Sequence, residues 1–349
     1  MNKLRIGYTP HGATLSHPAD RRRLVYWAKK RGHQIILDSD EKRDVNVLAG
    51  RSDFARKFER DDKVPTILDL VDGYLGQEES WKDWARGIGK VFSGQLSGIP
   101  KPYRQIIANA CLRSNAVICE TPEQSRTITP FCANVHSILD FHEEFPMLPP
   151  NPKLKNPNYS QLMWEGLPFT ISGLTQIEYS LQELSVSHKP RMQVVTDSKY
   201  PLLLGSYIYR DTERLLGSVP KILGGGFSMK EWSIESVIES SKSSDLAVLP
   251  LNPSSMLNPL KAENRLLILW RLGLPVLTSP SLAYVRVMER TGIAGICASP
   301  YDWKVKMERT LDSEELRLES VLAGQQYIRE THSEVLLLKA WDDLFESVL

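Results

Sequence analysis

The stretch "NPLKAENRLLILWRLGLPVLTSP", Asn258 to Pro280, decides how this chain is read. Its middle, "LLILWRL", is nearly all apolar, so the segment reads as a buried helix. Gly273 caps the helix, and "LPVLTS" reads as the strand that follows. Lys261, Asn264 and Arg265 stand at the entrance, at spacings of three and four that put them on one helix face. Unpaired backbone N–H groups point outward there, and the helix dipole is positive. Cations at that end oppose the dipole, an arrangement more easily tolerated when an anion arrives to balance them. Lys, Asn and Arg at a helix mouth suit a phosphate or diphosphate. A plain buried helix with snorkelling Lys and Arg is the competing reading.

Outward from this stretch, short apolar runs alternate with helical ones along the whole chain. "KLRIGY", "HQIIL", "DVNVLA", "VPTILDLVD", "NAVICE" and "NVHSILDF" read as six strands of a first half, with a helix from about Arg21 to Arg31 and another at "YRQIIANACLRS". Strands separated by helices indicate a parallel sheet covered on both faces, a Rossmann-like half. "EEFPMLPPNPKLKNPNYS" then holds five of the chain's 22 prolines and reads as a linker. The rhythm restarts with strand "QLMWEG", helix "GLTQIEYSLQELS", strand "RMQVVTD", a short strand at "KILGGG", helix "SIESVIESSKSS" and strand "DLAVLPL". After the opening helix and strand come "AYVRVMERTG", "GICAS" and two C-terminal helices. The expected layout is a first domain over residues 1–145, a linker over 146–160, a second domain over 161–330, and a C-terminal helix over 331–349 packing back on the first. Two α/β halves on a proline-rich hinge would place a ligand cleft between them, lined by loops at the carboxyl ends of the strands.

The 349 residues fit two domains, and 42% hydrophobic with 24% charged residues is an ordinary globular composition. A net charge of +1 advertises no nucleic-acid partner. Cys111, Cys119, Cys132 and Cys297 are scattered without a CxxC, which suits free thiols in a reducing cytosol and no zinc site. The start "MNKLRIGYTP" lacks the apolar stretch of a signal peptide, and no run is long enough to span a membrane.

Here the residues carry a resemblance. "SSDLAVLPL" followed by "KAENRLLILWRLGLPVLTSP" resembles the donor-binding domain of GT-B glycosyltransferases, where an Asp-hydrophobic-Pro strand precedes a helix closed by a Gly-x-Pro-Val turn. "LMWEG", "EWSIESVIESSKSSDLAVLPL" and "AGQQYIRETHS" are similar to other parts of that domain; "GATLSHPADRRRLVYWAKKRGHQI" and "RSNAVICETPEQS" match the first domain more loosely. The resemblance implies an α/β fold of two Rossmann-like domains facing a cleft, and a metal-independent transfer of sugar from a nucleotide-sugar, without a further cofactor, to a glycan or lipid-linked acceptor. It implies a cytoplasmic protein of polysaccharide or glycoconjugate synthesis, with peripheral contact at the membrane face as an added expectation. Many retaining members carry two glutamates eight residues apart around this helix. Counting back from Gly273, those positions hold Leu260 and Ile268, and Glu263 is out of register. The sugar-ring and ribose contacts of those members therefore do not transfer. A nucleotide-sugar epimerase, or a degenerate GT-B module binding a glycan or partner, stays open; a dehydrogenase lacks its Gly-rich turn in either half.

Further candidates follow from position. On the donor side stand Glu165 and Gly166 after "LMW", and Asp197 and Ser198 ending "VVTD", beside Lys261, Asn264 and Arg265. A glycine at 166 would let backbone approach a phosphate, whereas Asp197 could equally cap a helix. Gly224 to Gly226 reads as a flexible loop and not as a dinucleotide motif. The hydroxyl of an acceptor needs a base, for which Asp69, Asp72 and the loop residue His11 are the candidates. His17, Arg21 and Arg22 open the first helix and could meet a lipid phosphate or an anionic membrane face, against the reading of a solvated face. Trp81 and Trp84, at i and i+3, read as helix packing more than as an acceptor surface.

Overall fold

The computed structural model describes residues 2–37, 41–56, 64–76, 80–201 and 209–349. The chain divides into two compact units, one built from residues up to His142 together with 333–349, the other from the residues between.

In the first unit, β1 (Arg5–Thr9), α1 (Pro18–Arg21), α2 (Leu24–Arg31), β2 (Gln34–Ile36), β3 (Val45–Leu48), β4 (Thr66–Asp69), α3 (Trp81–Phe92), α4 (Tyr103–Leu112), β5 (Ala116–Cys119), α5 (Pro122–Ile128) and β6 (Val135–Ser137) succeed one another. The strands form one parallel sheet in the order β2-β1-β3-β4-β5-β6. Every residue of β4 and β5 is buried, as central strands covered on both faces require. The chain leaves β1 in one direction for β2 and returns on its other side at β3, so the loops after β1 and β3 sit at the switch point, where α/β sheets bind ligands. The helix expected from Arg21 to Arg31 is broken at Arg22 and Arg23: Arg23 leaves helical geometry (φ −126°, ψ −117°) as its side chain turns into the core.

In the second unit, β7 (Gln161–Glu165), a 3-10 stretch (Pro168–Ile177), α6 (Glu178–Ser187), β8 (Arg191–Val195), β9 (Lys199–Pro201), β10 (Tyr209–Asp211), α7 (Val219–Leu223), β11 (Phe227–Lys230), α8 (Ile234–Lys242), β12 (Leu246–Leu249), α9 (Asn264–Arg271), β13 (Val276–Thr278), α10 (Leu282–Thr291), α11 (Pro300–Asp312) and α12 (Glu314–Thr331) follow. The parallel order is β11-β8-β7-β12-β13, with β9 and β10 a separate antiparallel pair, and the switch point lies between β7 and β12. Helix starts use the expected chemistry: Ser233 and Ser236 form a capping box on α8, and Ser281, Ser299 and Ser313 cap α10, α11 and α12. The last helix, α13 (Glu334–Glu346), belongs to the first unit. There Trp341, Leu344 and Phe345 enter its core, and Phe345 stacks on Trp27 at 4.2 Å between ring centroids.

Several expectations change. Three helices, not two, follow "GICAS". "KILGGG" is a short helix and a 3-10 turn, with the strand starting at Phe227. The proline-rich segment is no free linker but is tied along the second unit. Leu148 N–H donates to the Arg271 carbonyl (2.8 Å) and its carbonyl accepts from Gln325 (2.7 Å). Arg317 reaches the Pro152 carbonyl (2.7 Å) and Asp245 accepts from Lys155 N–H (2.7 Å). Trp81 and Trp84 stand outside the core, at 75% and 50% exposure. All four cysteines are buried and free, and among the described residues no helix is long and apolar enough to cross a membrane.

Candidate functional site

Orphaned polar atoms gather at the carboxyl ends of the second sheet. Glu165 ends β7 almost fully buried; its Oε2 accepts from Trp232 Nε1 at 3.3 Å, while Oε1 has no partner. Arg265, second residue of α9, lays its guanidinium 5.6 Å over the Trp164 ring and donates from Nη1 to the Glu165 carbonyl at 2.8 Å, leaving Nη2 buried and unbonded. Gly166 makes this possible: its φ of +153° is a glycine conformation, and a Cβ there would lie 2.4 Å from Nη1. Thr196 Oγ1 and Thr278 Oγ1 are also buried without partners. Burial pushes the Tyr284 hydroxyl up; Arg265 opposes this by its charge and by side-chain contact, while Glu165 and Glu263 add to the rise. Each such orphan costs about 1–3 kcal/mol, so their concentration at a switch point marks a place that a polar ligand would complete.

The other donor-side candidates divide. Lys261 lies in extended backbone three residues ahead of α9, its carbonyl accepting from Ser281 Oγ at 3.0 Å. Only Asn264 and Arg265 lie in the helix, so the three do not share one helical face: the 3-10 turn over Asn258–Leu260 delays its start. Glu263 occupies the N-cap position of α9 without a side-chain capping bond; it is buried and pairs with Arg286 at 2.8 Å. Leu260 and Ile268 are buried and apolar. At the end of β8, Asp197 has its carboxyl raised by burial and by Glu231, whose Oε2 accepts from Ser198 N–H at 3.0 Å. Glu231, Trp232, Thr196 and Tyr284 are site residues that motif and spacing did not single out, although each lies in a stretch assigned to the second domain. A cavity of about 340 Å³ lies at the ends of β12 and β13, lined by Asn252, Asn258, Ser281, Ser299 and Trp303; none of the expected donor residues lines it.

In the first unit Asp20 gathers the loop after β1. Its carboxylate accepts from Tyr8 OH (2.5 Å), His11 N–H (2.8 Å) and Gly12 N–H (2.8 Å). His11 is held on both sides: Nδ1 accepts from Gly50 N–H at 3.2 Å, which puts the proton on Nε2, 3.6 Å from Asp69 Oδ2. A Cβ at Gly50 would lie 2.9 Å from that Nδ1. Asp69 is clasped by Arg23 through Nε (3.0 Å) and Nη2 (2.6 Å). Burial raises the Asp69 carboxyl, but Arg23 and His11 outweigh it and hold it at about 2. Arg23 also reaches Asp140 at 3.3 Å; burial raises this second carboxyl against the opposing charges of Arg23 and Arg22.

This geometry narrows the catalytic candidates. A carboxylate held at about 2 and clasped by a guanidinium is a poor base, so Asp69 is an anchor. His11 Nδ1 is taken by Gly50 N–H, while Nε2 is buried without a hydrogen bond and faces Asp69 at 3.6 Å, so His11 sits among three strand ends. Asp72 is half-buried, accepts from Tyr74 OH at 3.0 Å, and stands apart from that network. His17 caps α1 and accepts from Ala19 N–H (3.3 Å). Arg21 donates to the Ser16 carbonyl (2.8 Å), Arg22 is buried, and Arg23 is in the core, so the arginine run is no solvated basic face.

Solved structures align with the chain over nearly its full length. It matches TarM of S. aureus over 92% of its own length with a TM-score of 0.62 and 13% identity, and spans 57% of TarM. WaaG, a glycosyltransferase involved in lipopolysaccharide biosynthesis, matches over 98% of this chain and 99% of its own at 0.58 and 15% identity. A glycosyltransferase from Rickettsia africae ESF-5 matches over 100% and 99% at 0.59 and 10% identity. The fold is that of the GT-B glycosyltransferases. No protein-family model and no curated sequence matches the chain, so likeness to the GT-B fold rests on three-dimensional arrangement. A second TarM structure is a complex with fondaparinux, alpha-GlcNAc-glycerol and UDP. Within the GT-B frame, the orphaned atoms around Arg265 and the network around Asp20 lie at the switch points of the two sheets.

Proposed function

We propose that the chain is a GT-B glycosyltransferase that moves a sugar from a nucleotide-sugar to a glycan or lipid-linked acceptor, without a metal or further cofactor, at the cytoplasmic face of a membrane. The observation that carries the donor half is the unbonded Arg265 Nη2 beside the unbonded Glu165 Oε1 at the switch point of the second sheet. In the reaction the acceptor hydroxyl bonds to the anomeric carbon as the bond to the diphosphate breaks. Arg265 and Lys261 meet the charge growing on the departing diphosphate. Glu165 accepts from a donor hydroxyl, Gly166 leaves room for the phosphate, and Asn264, Asp197 and Ser198 complete the donor side. On the acceptor side, Asp72 takes the hydroxyl proton, while His11 and Asp69 hold the loop after β1 that carries Gly12 and His17. Arg21, the partly exposed member of the arginine run, meets an acceptor phosphate.

The test is thermal melting with a panel of nucleotides and nucleotide-sugars, since a ligand of the native state raises the midpoint with dose. One nucleotide is expected to stabilise the wild type, and Arg265→Ala and Lys261→Ala to lose that response while melting normally on their own. With that donor in hand, Asp72→Asn should keep binding and lose about a hundredfold or more in turnover. No stabilisation by any nucleotide would favour the degenerate binding module, a reading that the apolar Leu260 and Ile268 support.

A further inference from the structure

A second cavity of the second unit, of about 360 Å³, opens at the amino end of β13, whereas the switch point lies at the carboxyl ends. It exists because a stretch of sheet is missing. β13 pairs with β12 at all three of its residues, but on its other side only Thr278 meets a neighbour, Ile296, so no strand covers Val276 and Leu277 there. The chain between α10 and Ile296 turns away instead. Gly292 is left-handed at φ +72°, and a Cβ at Gly295 would lie 3.0 Å from the Val276 carbonyl oxygen. Segments of α11 and α12 form the remaining walls.

The charges on those walls are not used by the fold. Lys306 and Arg309, three residues apart on α11, share one helix face and both line the cavity. Lys306 donates to the Ile296 carbonyl and keeps two N–H bonds free of that contact. Arg309 is exposed and makes no hydrogen bond or ion pair among the described residues. Glu319, on α12, also lines the cavity and is likewise unpaired among the described residues, so opposite charges share the space without meeting. The hydroxyls of Thr310 and Ser320, on the same walls, hold no hydrogen bond among the described residues.

These groups define a ligand. Two cations suit the double charge of a phosphate monoester, and the guanidinium fork matches its oxygens. Glu319 and the carbonyl end of α10, at Thr291 and Gly292, disfavour a bare anion and accept from hydroxyls instead. Val276, Leu277, Leu316 and Ala323 give a carbon skeleton an apolar bed.

We infer that this cavity is an effector site for a small hydroxylated phosphate monoester, with the phosphate on Lys306 and Arg309 and the hydroxyls on Glu319, Thr310 and Ser320. Ala323 in its wall is followed by Gly324, which abuts the Trp270 indole, so the occupant bears on the helix that carries Arg265. Occupancy therefore changes nucleotide affinity, and nucleotide changes ester affinity by the same factor. The site itself rests on no donor chemistry; its coupling rests on the nucleotide reading.

The experiment is calorimetric titration of the full chain with glycerol 3-phosphate and glucose 6-phosphate, beside inorganic phosphate and glycerol. At least one ester should bind saturably and more tightly than inorganic phosphate, and glycerol should not bind. Arg309→Gln should weaken the ester about tenfold or more, the loss of one charge-assisted bond. Ala323→Phe, which fills the cavity, should abolish binding, and both variants should melt as the wild type does. Arg265→Ala should keep ester binding, because only a phosphate held among the donor residues would be lost with it. No saturable ester binding overturns the inference. So does inorganic phosphate binding as tightly as the esters, which leaves an adventitious anion, or ester binding lost in Arg265→Ala and kept in Arg309→Gln. A nucleotide affinity that saturating ester leaves unchanged overturns the effector role. Ester binding in a chain that responds to no nucleotide would keep the site and remove the transferase reading.

Discussion

Arg23 serves two buried carboxylates with one guanidinium, and that makes it the residue on which the first unit depends most. Replacing it with methionine fills the volume but leaves Asp69 buried without the guanidinium that clasps it and removes one of the cations near Asp140. Breaking a buried ion pair from one side costs about 3–5 kcal/mol, and urea unfolding of Arg23→Met should register a loss of that order. Adding Asp69→Asn and Asp140→Asn should recover part of it. His332 works through pH. It is fully buried at the end of α12, and burial, with Arg271 and Arg286 adding to it, lowers its pKa from 6.5 to about 4. The folded state therefore keeps it neutral where the unfolded chain protonates it. Its contribution is complete above about pH 6.5 and is lost as pH falls to about 4, on the order of 3 kcal/mol in all. Stability measured from pH 7 to 4 should fall more steeply in the wild type than in His332→Phe.

At the level of elements, close approach is secured by small residues. Gly324 in α12 faces the indole of Trp270 in α9, and a Cβ there would come within 2.2 Å of Trp270 Cδ2. Trp270 is fully buried and Gln325 beside it donates to the Trp270 carbonyl at 3.0 Å, so neither helix has room to retreat. Gly324→Val should cost at least about 1–3 kcal/mol as overpacking. Because α9 carries Arg265, the variant should also lower the nucleotide response, whereas Gly292→Ala, in open space at the end of α10, should leave that response unchanged. The opening stretch shows the same division between what is legible and what is not. Its buried helix, the left-handed Gly273 and the strand after it stand as read, because apolar periodicity and a glycine cap are local signals. The helix start at Asn264, and with it the separation of Lys261 from the helical face, was not legible, because a preceding 3-10 turn competes on nearly equal terms with a longer helix.

For the whole molecule, the C-terminal helix is the piece to remove. Ending the chain after His332 deletes Trp341, Leu344 and Phe345 from the core around Trp27. Each large side chain lost from a core costs about 3–5 kcal/mol, more than a unit of this size can spare. Limited proteolysis of the shortened chain should digest residues up to 142 while the fragment from about 143 to 332 persists. Retained nucleotide response in that fragment would place donor binding in the second unit alone.

The sequence by itself determined the alternation of strands and helices, the parallel sheets, the free cysteines and the group of residues worth watching at the ends of β7 and α9. Those follow from patterning within a few residues, where side-chain period and capping chemistry act. Tertiary structure alone decided that Arg23 is a core clamp within a run of three arginines, that His11 is wedged between Gly50 and Asp69, that Glu165 and Arg265 keep unbonded atoms, and that Trp81 and Trp84 face outward. Each of these depends on what a side chain meets across the fold: Asp69 lies 46 residues from Arg23, and the Glu165 carbonyl 100 residues from Arg265. Local composition cannot encode such partners, because desolvation and pairing are fixed only when distant segments are brought within a few ångströms.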